Sequence, residues 1–147
     1  MKKGIIILFS EDEKTINKNQ LINIFKQKDV KLCFVNNGSK DNTLQALEAV
    51  MGEADTHSIS IIDIKKNTTT NAAVKAATRY IQNSEDIKCI LYIKSNLLKN
   101  LEDKKKQIEL LKIIETQFKQ ALYNHKSSKD LKKIFSYKEL LSFQKIN

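Results

Sequence analysis

The chain has 147 residues and a mass of 16.9 kDa, the span of one domain with room for a core of its own, so folding requires neither a disulfide nor a metal. With 41% hydrophobic and 29% charged residues, no proline, no tryptophan and three glycines, the composition is globular and excludes disordered, collagen-like and propeller-repeat chains. The net charge of +9 invites a nucleic-acid partner, but Arg79 is the single arginine among 26 basic residues; without Arg forks or interleaved aromatics, nucleic acid is not expected.

In chain order, GIIILF at 4–9 is a continuous apolar run, the mark of a strand buried on both faces of a parallel sheet. Residues 15–26 carry Ile16, Leu21, Ile22, Ile24 and Phe25 at helical spacing. VKLCFV at 30–35 reads as a second strand, stopped by the turn-forming NNGS. Asp41 or Asn42 caps a helix running to Met51, with Leu44, Leu47, Ala49 and Val50 on its apolar side. SISIIDI at 58–64 is a third strand, NAAVKAATRYIQ at 71–82 a helix, and IKCILYI at 87–93 a fourth strand. This alternation predicts three-layer α/β/α architecture with a largely parallel sheet, Rossmann-like in its first half. Ligands of such sheets bind at the carboxyl ends of the strands, here the loops 10–14, 36–42, 64–71 and 94–97.

The alternation stops at Leu97. From there to about residue 125 the chain reads as one helix, with Leu97, Leu101, Ile108, Leu111, Ile114, Phe118 and Leu122 on a stripe. A short apolar segment at 130–143 follows, and no further strand is expected. Thus 1–98 form the sheet half and 99–147 a helical extension packed on it, one domain overall. Residues 1–98 hold 14 basic and 11 acidic side chains and 99–147 hold 12 and 6, so the positive excess is concentrated in the tail. Its stripe suits packing on the sheet, on a second copy of the chain or on a protein partner, and its Lys side offers weak contact with an anionic membrane surface. Cys33 and Cys89 lie in apolar runs, as buried thiols of a cytoplasmic protein do, and His57 and His125 stand apart from any carboxylate or Cys pattern. The apolar run at 5–9 is too short for a signal peptide, and no run reaches the length of a membrane span.

The most specific string is FVNNGSKDNT at 34–43, closing the second strand and opening a helix. It resembles the V-D-[DN]-G-S-x-D-x-T signature of family 2 glycosyltransferases of the GT-A fold. Three further segments fall in register with that family. ILFSED at 7–12 stands where it has P-x-Y-N-E-x, with Phe9 for Tyr, Ser10 for Asn and Glu11 kept. KNTTTNAAVKAATRYI at 66–81 resembles the helix after the third strand, through Asn67, Ala73 and Ala77. ILYIKSNL at 90–98 occupies the place of the strand that ends in D-x-D.

The resemblance implies a domain that binds a nucleotide-diphosphate sugar of the UDP type. The ligand is expected across Ser10, Glu11, Asn36, Asn37, Gly38, Ser39, Asn67, Lys94, Ser95 and Asn96. In this turn Gly38 permits positive φ, while Ser39 and Asp41 cap the helix. The departures narrow the activity. D-x-D binds the metal that bridges the diphosphate, and here the triplet is Lys94-Ser95-Asn96, so no divalent-metal cofactor is expected and metal-dependent transfer is lost. The family's catalytic base lies in a downstream half that has no counterpart here, and no catalytic residue is assigned. Two readings compete with this degenerate, glycosyltransferase-like one. The first is a non-catalytic scaffold. The second is a receiver-like phospho-acceptor domain using Asp63 with Glu11 and Asp12, a fold that needs a fifth strand.

Overall fold

β-branched and aliphatic runs with few polar interruptions propagate strands, and the fold has five: β1 (Lys2–Phe9), β2 (Val30–Asn37), β3 (Ile59–Ile64), β4 (Ile87–Lys94) and β5 (Lys133–Ser136). Three helices connect them, α1 (Thr43–Glu53), α2 (Thr70–Ser84) and α3 (Lys104–Asn124). This computed structural model describes residues 2–17, 21–22, 30–53, 59–84, 87–96, 104–124 and 133–136. The strands form one sheet in the order β3-β2-β1-β4-β5, and every neighbouring pair is parallel.

The alternation of side chains along β1 and β2 divides the core in two. Ile5, Ile7 and Phe9 of β1, with Leu32 and Phe34 of β2, face a cluster completed by Leu47 and Val50 of α1 and by Leu110, Ile114 and Phe118 of α3. Phe9 and Phe34 meet edge-on there, ring centroids 5.7 Å apart, a contact worth about 1 kcal/mol beyond its buried area. Ile6, Leu8, Cys33 and Val35 point the other way, onto Ala73, Val74, Ala77 and Ile81 of α2. Both faces of the sheet are therefore covered by helix, as a parallel sheet requires. Cys33 lies at 0% exposure in the second cluster, where burial pushes its thiol up to about 12 and leaves it without nucleophilic character at neutral pH.

The four expected strands and the helices expected between β2 and β4 are present, and two expectations for the tail change. A fifth strand exists: β5 pairs with β4 from Cys89↔Lys133 to Tyr92↔Ser136. Its four residues sit in a stretch whose apolar spacing mimics a helix, and the open edge of β4 recruits them into the sheet. The buried stripe of α3 is Leu110, Ile114 and Phe118, with Leu111 half-buried and Ile108 53% exposed. A spacing of four residues, rather than the mixed three and four of the expected stripe, follows the line of contact on the sheet. Leu97 and Leu101 lie outside the described residues, as do His57, His125 and most of the helix expected at 15–26, of which Leu21 is described and buried. Among the described residues no helix is long and apolar enough to cross a membrane.

Candidate functional site

Strand order fixes where a ligand crevice can form. In β3-β2-β1-β4-β5 the chain moves outward from β1 in one direction and resumes at β4 on the other side. The switch point therefore lies beyond the carboxyl ends of β1 and β4, the usual ligand crevice of open parallel sheets. The segments meeting there are Ser10–Glu13 after β1 and Lys94–Asn96 at the end of β4, with the turn after β2 alongside.

That turn is built from the strand outward. Asn36 and Asn37, expected beyond β2, are its last two residues and pair with Asp63 and Ile64 of β3. Gly38 then reverses the chain at φ +65°, and its N–H donates to the Ile64 carbonyl at 2.8 Å. Only glycine fits: a Cβ would lie 2.1 Å from the Asn67 backbone nitrogen. Asn36 is 4% exposed; its Nδ2 donates to Asp63 Oδ1 at 2.9 Å and its Oδ1 accepts from Ser39 Oγ. Asn37 is tied to the next loop, its Oδ1 accepting from Thr68 N and Oγ1 at 3.0 Å each and its Nδ2 donating to the Thr68 carbonyl at 2.9 Å. Asn67 donates to the Asn37 carbonyl at 2.9 Å and to Ser10 Oγ at 3.4 Å.

The β1 loop folds over this turn. Glu11 is a non-glycine residue at φ +53°, a conformation that costs on the order of 1 kcal/mol. The bend lets Glu11 N donate to Ser39 Oγ at 3.1 Å and Glu11 Oε1 accept from Lys40 N at 2.6 Å. Glu13 accepts from Asn42 N and Nδ2 at 3.3 and 3.1 Å. Asp41 caps α1, its Oδ1 accepting from Thr43 N at 3.0 Å and from the Thr43 hydroxyl. That hydroxyl, with the surrounding backbone N–H groups, holds the Asp41 carboxyl below the ordinary 3.8. Ser39 is no cap; its hydroxyl is engaged by Asn36 and Glu11. Asp63 is likewise held below 3.8, first by Lys65 and then by Asn36.

At the other side, Lys94 is exposed at the end of β4, paired in register with Leu8. Among the described residues its ammonium has no hydrogen-bond or ion-pair partner. Asn96 is exposed and Ser95 half-buried. Ser95 Oγ donates to Asp12 Oδ2 at 2.6 Å.

The structure thus brings Ser10, Glu11, Asn36, Asn37, Gly38, Ser39 and Asn67 into one hydrogen-bonded group. Ser95 is linked to it through Asp12, and Lys94 and Asn96 are exposed at its side. Three residues with large roles here were not among the expected site: Asp12, Thr43 and Thr68. Thr43 is fully buried at the start of α1, and its signal in the sequence is the D-x-T spacing from the cap Asp41.

The arrangement also bears on the receiver-like alternative. A fifth strand does exist, so that objection falls. Receiver sheets, however, follow the order 2-1-3-4-5, with the third strand beside the first. Here β3 is the outermost strand and β2 separates it from β1, so Asp63 faces Asn36 and Lys65 while Asp12 faces Ser10 and Ser95. Among the described residues no group of three or more His, Cys, Asp or Glu is placed to hold a metal ion.

What fold and loops define is a class: an α/β protein with a parallel sheet in the order 3-2-1-4-5 and its polar loops gathered at the carboxyl edge. No protein-family model matches this chain, and neither does any of the curated proteins.

Proposed function

We propose that the chain is a glycosyltransferase-like domain that binds a nucleotide-diphosphate sugar and has lost metal-dependent transfer. The observation that carries this reading is the convergence of the FVNNGSKDNT turn with the Ser10–Glu11 and Lys94–Asn96 segments at the β1–β4 switch point. In this reading the base and ribose lie against the turn, and the exposed Lys94 ammonium neutralises the diphosphate in place of a D-x-D-bound metal, as a compact point charge can. Asn36 is buried and engaged at both ends of its amide, so it shapes the turn, and Asn37–Ser39 form the surface a ligand meets. The domain would work in the cytoplasm, where the free Cys33 thiol remains reduced.

Thermal shift across UDP, GDP, CDP and their sugars, with and without Mn²⁺, tests the reading. A rise in melting temperature with a uridine nucleotide, indifferent to Mn²⁺, is the expected result. Lys94→Ala is expected to weaken UDP binding about tenfold, the loss of one charge-assisted contact, while changing stability by less than about 0.5 kcal/mol because the side chain is exposed. Metal-enhanced stabilisation would overturn the role given to Lys94. Silence toward every nucleotide would leave a scaffold or protein-interaction domain, for which the exposed face of α3 offers a surface.

A further inference from the structure

One group at the switch point joins three of the segments around it and would not itself face the ligand. Asp12 is 3% exposed, the most deeply buried carboxylate among the described residues. Its Oδ2 accepts from Ser10 N at 2.7 Å and from Ser95 Oγ at 2.6 Å, and its Oδ1 accepts from Thr15 Oγ1 at 3.3 Å. Its own N–H donates to Thr43 Oγ1 at 2.9 Å, and that hydroxyl in turn donates to Asp41. One residue therefore joins the loop after β1, the start of α1 and the chain leaving β4.

We propose that Asp12 is a positioning residue of the nucleotide site: through Ser95 it fixes the end of β4, and so holds the Lys94 ammonium at the crevice. This rests on the nucleotide-binding reading above and deepens it. Three features support it. The Asp12–Ser95 bond crosses the switch point, between strands that are neighbours in the sheet yet 83 residues apart in sequence. A buried acceptor left without donors is costly, so the Ser95 hydroxyl and the Ser10 N–H are held on Asp12 Oδ2 in one geometry. And Lys94, one residue before Ser95, is exposed and unrestrained by any described partner, leaving the backbone that Ser95 anchors as what sets its place. Ser95 is accordingly assigned to Asp12 and not to the ligand, against its expected role as a direct contact.

The test is a double-mutant cycle read by calorimetric titration of UDP and, separately, of uridine, on the full chain. Ser95→Ala is expected to weaken UDP binding about fivefold and leave uridine binding unchanged, with Ser95→Thr, which keeps the hydroxyl, restoring it. In a Lys94→Ala background, Ser95→Ala is expected to have no further effect, because the charge it positions is gone. UDP binding by Ser95→Ala equal to that of the parent chain would overturn the inference while leaving the nucleotide reading intact. A further loss in the Lys94→Ala background would also overturn it, since Ser95 would then be touching ligand itself. Failure of the parent chain to bind UDP or uridine would overturn both.

Discussion

At the ends of β1, β2 and β3 the Asn, Asp, Glu, Ser and Thr side chains are engaged in a dense network, whereas among the described residues at the end of β4 Ser95 is tethered and its neighbours Lys94 and Asn96 are exposed. The first region is assembled like a core made of hydrogen bonds: Asn36 to Asp63 and Ser39, Asn37 to Thr68, Glu11 to Lys40, Glu13 to Asn42, Asp41 to Thr43. The second is a strand end where the exposed Lys94 ammonium has no partner among the described residues. The difference separates residues that build a binding surface from those that remain available to a ligand. A resemblance in sequence marks both kinds alike, because it reports which residues occupy the turn and not which of their atoms are already engaged.

The contrast breaks most readily at Gly38. Gly38→Ala would force an L residue to φ +65° with its Cβ against the Asn67 backbone, and a stability loss on the order of 3 kcal/mol is expected. Urea unfolding measures it, and a loss below about 1 kcal/mol would mean that the turn yields without strain and is not the rigid half of the site.

Asn36→Ala comes next. It removes one partner from each of Asp63 Oδ1 and Ser39 Oγ, both half-buried, and about 1 kcal/mol is expected. Equal stability of Asn36→Ala and the parent chain would show that water replaces the amide and that the hydrogen-bonded region is looser than its geometry.

The smallest effect is acid sensitivity. Asp41 and Asp63 titrate lower in the folded chain than the ordinary 3.8, so they bind protons more weakly folded than unfolded. Their stabilisation is complete above pH 3.8 and is lost as pH falls through the depressed folded values. Urea midpoints recorded from about pH 5 down to pH 2 should decline, and Asp41→Asn should flatten part of that decline. An identical decline in the variant would show that the Asp41 cap adds nothing. Lys65 runs oppositely: Asp63 raises it above 10.5, so its contribution is present below that pH and fades as pH rises past the folded value.

Much of this was legible along the chain. Strands β1 to β4 fall on the runs expected at 4–9, 30–35, 58–64 and 87–93, because short apolar runs rich in β-branched and aromatic residues suit a buried sheet. The capping residue Asp41 and the need for glycine at 38 were readable too, since both are local demands of a tight turn entering a helix. Less was legible where a partner decides. KIFS at 133–136 is too short to declare itself, and it is a strand because β4 has an edge to offer. Ile108 and Leu110 are both candidates for a buried face, and the direction in which α3 crosses the sheet buries Leu110 and exposes Ile108.

Site residues divide along the same line. Position at the carboxyl edge follows from the alternation of parallel strands with helices. The state of each side chain does not. Asn36 and Asn37 are identical neighbours in a turn-forming string, yet one is buried against Asp63 and Ser39 and the other binds Thr68. Asp12, an acid among acids in SEDEK, becomes the joint between the first and fourth strands. What the sequence by itself determined is the parallel α/β architecture, the glycine turn and the loops that meet at the sheet's edge, because these follow from local periodicity and backbone sterics. Only the tertiary structure decided which carboxylate is buried and which hydroxyl it takes, since those depend on distances between segments as much as 83 residues apart.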